Sequence, residues 1–296
     1  MSKVQLAISP LTWSNDDMPS LGGEIPLESC LAGMQAAGFQ GSEMGVKYPR
    51  TTDELKPKLE EYGLVLASGW YSLELCKRSV EEEIEAVQSH LELMRGCGCK
   101  AMVAGEVSNT VHGNIEKPLS QRVVLTEEQW KEYGEKLTRF ADYLKEQGIK
   151  LAFHHHVGTV CESPRDLEMF IKHTGPSVGL TFDTAHVTYG GGDAAEMIRL
   201  VGDRIVHFHT KDVRFDVMRD AREKDLPFLK AVLNGVFTVP GDGGLDWDEI
   251  FAELKKFDYE GWLVVEAEQD PAVAHPQTYA NMAHKNLITY VEKAGL

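Results

Sequence analysis

The sequence predicts a single (β/α)8 TIM barrel, because strand and helix signals alternate along the chain and eight strand–helix pairs fit its length. The chain has 296 residues, an ordinary size for one barrel of this kind. Hydrophobic residues make up 43% of it, which is enough for a large core. We see no low-complexity segment and no shift in composition that would mark a second domain. Residues 1–296 are therefore expected to form one domain.

The first half of the chain supplies four predicted strands, each followed by a helical segment. These strands are residues 4–9, 39–45, 64–72 and 100–107. Helix starts are predicted at Pro26, which suits a first helical turn, and at three capping-box spacings. The capping boxes are Thr51 with Glu54, Ser79 with Glu82, and Thr126 with Gln129. The polar stretch 108–125 is long for a loop without a function, so we expect it to cover the carboxyl-terminal face of the barrel.

The second half supplies four strands whose ends carry histidines and carboxylates. These segments are residues 151–159, 178–186, 204–212 and 261–269. A second long loop, 213–245, follows the seventh strand over the same face, and a helix over 276–294 closes the ring. In a parallel barrel the carboxyl ends of all strands meet at one face. The histidines and carboxylates are therefore expected to form a metal site there.

The spacing of the strand-end residues indicates which of them reach this site. Residues two apart in a strand share a face, so His154 and His156 point the same way. The outer His209 is a better metal ligand than the deeper His207. Glu266 follows three apolar residues, where a buried carboxylate without a cation would be costly. Mixed imidazole and carboxylate ligands favour Mn²⁺, Co²⁺, Fe²⁺ or Zn²⁺ over Ca²⁺.

Several strand-end residues also have a purely structural interpretation. Asp183 suits a metal ligand, with His186 three residues on, but it also suits the N-cap of a turn. Lys211 continues the seventh strand to the rim and would stabilise an oxyanion, unless it is a solvated surface lysine. Glu43 and Glu106 are single carboxylates at strand ends, and both interpretations stay open for them.

Charge and cysteine usage narrow the classes of partner. The net charge of −16 argues against nucleic acid binding, which needs clustered Lys and Arg. No stretch approaches the ~20 apolar residues of a membrane helix, and the chain begins with a strand instead of a targeting segment. The five cysteines are scattered, and Cys97 and Cys99 fall between a helix and a strand. We therefore expect a cytoplasmic protein with structural thiols and no membrane partner.

Six segments spread over nearly the whole chain carry a family resemblance. They are ISPLTWSNDDMPSLGGEIP (8–26), LAFHHHVGT (151–159), FDTAHVTYGGGD (182–193), HFHTKDVR (207–214), VPGDGGLDW (239–247) and GWLVVEAEQDP (261–271). Together they resemble the xylose-isomerase-like TIM barrels, a superfamily of sugar isomerases, epimerases, dehydratases and apurinic endonucleases. Within that superfamily they are similar to the inosose dehydratases of inositol catabolism.

The resemblance implies a single-metal site with one ligand from each of strands five to eight. Relatives use a carboxylate, an aspartate, a histidine and a glutamate in that order. The last three match Asp183, His209 and Glu266 of this sequence. The first does not match, because strand five ends on histidines, so His154, a water molecule or Glu106 is left to complete the ligand set.

The resemblance further implies a reaction on a small polyol ketone. This is the metal-dependent removal of water from 2-keto-myo-inositol (scyllo-inosose), giving 3D-(3,5/4)-trihydroxycyclohexane-1,2-dione. The family is associated with Mn²⁺ or Co²⁺ and with glutathione, although we find no thiol-binding motif. The groups expected to move protons or stabilise charge are His154, His156, Glu266 and Lys211. Substrate contacts are expected from His186, Trp13, Trp70 and Glu106, with Tyr71 as a further wall unless the aromatic residues only pack the barrel.

Other functions on the same barrel make different demands on the sequence. A sugar or inosose isomerase or epimerase, the main alternative, uses two opposed carboxylate bases, and His154 stands where one of them would be. An apurinic endonuclease needs a cluster of metals and a basic face. A non-catalytic sugar-binding barrel needs neither. Barrels of this kind often form homo-oligomers, although no stretch of this sequence indicates an interface.

Overall fold

The computed structural model describes residues 3–296 and contains the predicted closed barrel of eight parallel strands. The barrel strands are β1 Val4–Ile8, β2 Gly41–Met44, β3 Val65–Leu73, β4 Ala101–Glu106, β5 Lys150–His154, β6 Val178–Asp183, β7 Ile205–Thr210 and β10 Gly261–Val265. Strand β1 pairs with both β2 and β10, which closes the ring. Strands β5, β6, β7 and β10 are neighbours in that order, so the predicted site residues come from one continuous side of the barrel.

Helices connect the strands and form the outer layer. They are α1 Leu27–Ala37, α2 Thr52–Glu60, α3 Val80–Gly96, α4 Glu127–Glu146, α5 Pro164–His173, α6 Thr184–Tyr189, α7 Ala194–Val201, α8 Phe215–Glu223, α9 Phe228–Leu233, α10 Trp247–Lys256 and α11 Pro276–Ala294. The capping boxes predicted for α3 and α4 are both present. The one predicted for α2 is wrong, because the Thr51 hydroxyl donates to the Glu54 carboxylate and caps no backbone N–H.

The main apolar core lies between the barrel and the helices. Phe153 of β5 stacks on Phe170 of α5 with ring centroids 5.5 Å apart, and Phe208 of β7 packs against Phe251 of α10. Side chains alternate between the two faces of a strand. With Phe153 and Phe208 facing outward, His154 and His209 face the barrel interior.

The segment 213–245 was predicted as a long loop, and that prediction is wrong. It contains α8, α9 and a small antiparallel sheet formed by β8 (Asp212–Val213) and β9 (Phe237–Thr238). Both helices bury apolar side chains in a second cluster above the barrel. The stretch 108–125 is irregular apart from one short 3-10 turn, Leu119–Gln121. Within residues 3–296, no helix has the length and apolar character needed to cross a membrane.

Candidate active site

Four side chains converge where β5, β6, β7 and β10 end. His154, Asp183, His209 and Glu266 each offer one ligand atom, and these atoms lie within 4.8 Å of one another. His209 Nδ1 lies at the centre, 3.1 Å from His154 Nε2, 3.2 Å from Glu266 Oε2 and 3.6 Å from Asp183 Oδ2. Ligand atoms around a tetrahedral ion with bonds of ~2.1 Å are roughly 3.4 Å apart. The group therefore has the composition and spacing of a site for one divalent ion.

Asp183 combines the two roles that the sequence left open. Its Oδ1 accepts hydrogen bonds from the backbone N–H groups of Ala185 and His186, which caps α6. Its Oδ2 is buried and makes no hydrogen bond among the described residues, although the Lys211 ammonium lies 3.3 Å from it, and a buried polar atom of this kind calls for an explanation. A cation bound at Oδ2 would supply one.

Glu43 at the end of β2 orients the central ligand. One of its oxygens, Oε1, accepts hydrogen bonds from His209 Nε2 at 3.0 Å and from His207 Nε2 at 2.7 Å. Because the proton of neutral His209 is then on Nε2, its Nδ1 lone pair is free to bind a metal, an arrangement common in metal sites. Burial raises the pKa of Glu43, but His209 and His207 lower it by more, to about 2. Glu43 is therefore a fixed negative charge behind the site.

The electrostatic environment at this point favours a cation. Burial lowers the pKa of His209, but the carboxylates of Glu266 and Glu43 raise it by more, so the net shift is well upward. The field that attracts a proton to this imidazole also attracts a metal ion. Burial lowers the pKa of His154, His156 and His186 well below the usual range. These three are neutral imidazoles with lone pairs for a metal or a proton.

Lys211 lies beside the four ligands and is fully buried. Its Nζ is 2.7 Å from Glu266, 3.0 Å from Glu268 and 3.3 Å from Asp183. Burial lowers the pKa of Lys211, but these carboxylates raise it by more, so the group is an ammonium. Burial raises the pKa of Glu268 to about 7, against the opposing effect of Lys211. Lys211 therefore contacts the carboxylates of the site from behind and is no solvated surface lysine.

A cavity of about 310 Å³ opens in front of the ligands. His154, His156, His209, Glu266 and Glu268 line its floor, and the lining also includes the following residues from other elements: Asp16, Asp17, Glu43, Arg50, Trp70 and His112. The Trp70 indole donates to the Ser72 hydroxyl and meets the His154 ring edge-on at 5.6 Å. It lies across Gly105, where a Cβ would come within 2.4 Å of the indole. The cavity thus has one aromatic wall and a polar floor.

Other predicted site residues lie elsewhere. Glu106 accepts hydrogen bonds from the backbone N–H groups of Ser108 and Cys76, which places it in the outer layer, away from the four ligands. The Trp13 ring packs against Gly33 of α1, and the Tyr71 hydroxyl donates to Glu83 of α3. His186 is buried behind the cavity floor, with its Nε2 3.0 Å from Lys211 Nζ.

Sequence reasoning missed His112 and left the role of Glu43 open. His112 belongs to the irregular segment 108–125, and its ring meets that of His156 at 5.1 Å. Its Nδ1 is buried without a hydrogen-bond partner in the described chain. The segment is held by a hydrogen bond from the Val111 N–H to the Gly158 carbonyl. No pattern in the sequence predicts this contact, whereas the position of Glu43 at a strand end was a usable signal.

Comparisons with known proteins agree with the fold and the motifs. The family described as xylose isomerase-like TIM barrel matches residues 31–287. The chain is 49% identical over 295 residues to the rhizopine catabolism protein MocC of Rhizobium meliloti, covering 100% of this chain and 91% of that protein. It is 43% identical over 286 residues to an inosose dehydratase of Geobacillus thermodenitrificans, covering 96% of each.

Solved structures with lower sequence identity share the fold. The IOLI protein, whose crystal structure has a binding zinc atom, superposes with a TM-score of 0.69 at 18% identity, covering 98% of each chain. AsbF of Bacillus anthracis, a probable 3-DHS dehydratase, gives a TM-score of 0.70 at 14% identity, covering 96% of this chain and 98% of that one. The chain therefore belongs to the xylose isomerase-like TIM barrel family. Within it, the chain groups with MocC and with the inosose dehydratases, and the name of the latter denotes a hydro-lyase activity.

Proposed function

We propose that the protein is a metal-dependent hydro-lyase that removes water from 2-keto-myo-inositol to give 3D-(3,5/4)-trihydroxycyclohexane-1,2-dione. The observation that carries the proposal is the convergence of His154, Asp183, His209 and Glu266 on one point at the floor of a polyol-sized cavity. The names of the inosose dehydratase relatives supply an inosose as substrate and loss of water as reaction. The inosose isomer and the product are taken from the family resemblance.

The four-ligand group would hold one divalent ion. Its two imidazoles and two carboxylates suit Mn²⁺, Co²⁺, Fe²⁺ or Zn²⁺, and we propose Mn²⁺ or Co²⁺ on the family resemblance. A bound ion would act as a Lewis acid on the ketone, which stabilises the developing enolate by several kcal/mol. The glutathione requirement rests on the family resemblance alone and stays a prediction. Proton removal at the carbon beside the ketone and departure of the neighbouring hydroxyl are left to the side chains.

His156 has the geometry of a general base. Its Nδ1–H donates to the Val157 carbonyl at 2.7 Å, so the free lone pair is on Nε2, and the side chain lines the cavity. His154 was predicted to act in proton transfer as well as in metal binding. Its Nε2 belongs to the ligand group, so in this proposal it acts as a ligand. General base catalysis of this kind typically contributes ~10²–10⁴-fold.

Glu268 is placed to complete the proton transfer. Its Oε1 is 3.9 Å from His156 Nε2, and its carboxyl group also lines the cavity. A proton taken up by His156 can therefore reach the departing hydroxyl directly or through Glu268. Lys211 donates to Glu268 and contacts Glu266 from behind the floor. We assign Lys211 to holding these carboxylates in place, because its ammonium reaches the cavity only through them.

The test is turnover of 2-keto-myo-inositol by purified protein with and without Mn²⁺, followed by the absorbance of the dione. Asp183→Asn keeps the Oδ1 cap of α6 but replaces Oδ2, the oxygen that would bind the metal, by an amide nitrogen. We expect it to lose metal binding and at least ~10²-fold in turnover. Asp193→Asn is the matched control, since Asp193 caps α7 by the same side-chain bond.

Two outcomes would contradict the proposal. Full turnover after exhaustive chelation would show that the ligand group is not a metal site. Exchange between ketose or epimer forms without loss of water would favour the isomerase or epimerase alternative.

A further inference from the structure

A second group of metal-type ligand atoms lies next to the first. His156, His186 and Glu268 each offer one atom, and these atoms also lie within 4.8 Å of one another. Glu268 Oε1 is 3.9 Å from His156 Nε2 and 3.7 Å from His186 Nε2, close to the ~3.4 Å expected around a small tetrahedral ion. All three residues are buried. By composition and spacing, this group is a cation site.

The Lys211 ammonium already lies in this second group. Its Nζ is 3.0 Å from both His186 Nε2 and Glu268 Oε1. The side chain is fully buried, and its Nζ lies 5.1 Å from the centre of the Phe237 ring. The backbone is fixed as well, because the Thr184 hydroxyl donates to the Lys211 carbonyl and accepts from the Lys211 N–H. The ammonium therefore has no exposed position close by to which it could move.

Lys211 and one metal ion are enough to offset the carboxylates of the two groups. Asp183, Glu266 and Glu268 supply three negative charges when all are ionised, and Lys211 contacts all three carboxylates. Glu43 adds a further negative charge behind His209, outside both groups. One ammonium and one divalent ion supply three positive charges. A second divalent ion would have to displace Lys211 or remain a few ångströms from it, where like charges repel strongly in a buried site.

We propose that Lys211 occupies a second cation site and thereby limits the protein to one metal ion. This inference rests on the proposed function, because the first group has to bind an ion for the count to be one. In this proposal, Lys211 supplies a fixed positive charge at the second group. Without Lys211, the ligand atoms of that group would attract a second metal ion.

The experiment is to count Mn²⁺ ions per chain. Protein saturated with Mn²⁺ is freed of loosely bound metal by gel filtration and analysed for metal content, and its electron paramagnetic resonance spectrum is recorded. We expect one ion in the wild type and two in Lys211→Ala, with the spin coupling of a close ion pair in the variant only. Lys211→Ala/Glu268→Ala lacks one ligand of the second group, and we expect it to return to one ion.

The outcomes separate this inference from the proposed function. One ion in both the wild type and a folded Lys211→Ala would overturn the role of Lys211 and leave the metal site intact. No ion in the wild type would overturn the metal site itself. Two ions in the wild type would overturn the inference without any variant. If Lys211→Ala fails to fold, Lys211→Met, which keeps most of the side-chain volume without the charge, is counted in its place, and one ion in that folded variant would overturn the inference.

Discussion

Replacing Glu43 by Gln tests whether the residue behind the ligands controls metal affinity. The carboxylate accepts a hydrogen bond from His209 Nε2, which leaves Nδ1 free for the metal, and a second one from His207. Gln has the same shape but no charge, so its Oε1 can accept the same two hydrogen bonds only as neutral, weaker ones. In the variant, the Nε2–H tautomer of His209 is less favoured, and the imidazole becomes a weaker ligand.

The expected loss follows from the number and type of bonds affected. Loss of such an orienting partner typically weakens metal binding by ~10–100-fold, which corresponds to about 1.4–2.7 kcal/mol. The bond to His209 is charge-assisted, and bonds to charged groups contribute ~1.5–3 kcal/mol. Because the amide oxygen can still accept both hydrogen bonds and only the charge is lost, we expect the loss to lie within this range.

Competition with a chromophoric chelator measures the affinity directly. Glu83→Gln is the matched control, because Glu83 is equally buried and accepts from the Tyr71 hydroxyl in the outer layer, away from the ligands. The circular dichroism spectrum and melting temperature of each variant establish that it is folded. An affinity of folded Glu43→Gln within twofold of the wild type would refute the argument that Glu43 prepares His209 for a metal.

Three further perturbations have expected outcomes of different kinds. His112→Gln should raise KM about tenfold through loss of about 1.4 kcal/mol of substrate binding, with unchanged metal affinity, whereas His90→Gln, outside the cavity lining, should leave KM unchanged. The pKa of Asp16 is raised to about 6 by burial, so folding favours its protonated form. The related stability is present below the ordinary pKa of 3.8 and is lost as pH rises from there to 6. Asp16→Asn should therefore raise the melting temperature increasingly between these pH values and by a constant amount above pH 6, equivalent to about 3 kcal/mol. Removing metal with a chelator should lower the melting temperature by several degrees, because an ion at ~100 times its Kd stabilises by about 2.7 kcal/mol; an unchanged melting temperature would contradict a bound ion.

The ligand group was predictable because it depends on two regularities of the fold. Parallel barrels bring the carboxyl ends of all strands to one face, and side chains two apart in a strand share a direction. Asp183, His209 and Glu266 follow unmistakable apolar strands, so their convergence needed no further information. Whether His154 or Glu106 accompanies them depends on which side chains of each strand face inward. This parity is harder to predict from the sequence.

The parity of β4 shows why Glu106 was misplaced. Val103 packs inside the barrel with Ala101 and Ala152, so Gly105 faces inward and Glu106 faces outward. In the sequence, residues 101–105 are small or apolar on both faces, and no alternation distinguishes them. The direction of the Trp13 side chain was equally hard to predict. Trp13 comes directly after a 3-10 turn, and its ring fills the space left by Gly33.

Contacts made by irregular segments lie beyond what local patterns can predict. His112 reaches the cavity because its backbone passes close to Gly158, which has φ +78° and whose Cβ, if present, would come within 2.9 Å of the His112 nitrogen. Only the folded chain brings these two segments together. The helices α8 and α9 were missed for a related reason, since short helices depend mainly on tertiary packing for their stability.

The presence of His154 at the end of β5 and of Lys211 after β7 can be explained together by the charges of the site. If strand five supplied a carboxylate, as the resemblance to relatives implied, the two neighbouring ligand groups would hold four negative charges. Together with Glu43 behind His209, that would be five buried carboxylates against the three positive charges of Lys211 and one divalent ion, and uncompensated buried charge is costly. With the neutral His154 in that position, the same two cations offset Asp183, Glu266 and Glu268, and Glu43 alone of these carboxylates is left over. Because His154 replaces the carboxylate of relatives, the site also lacks a second carboxylate base. This suits loss of water better than an epimerisation, which needs bases on both faces of the substrate.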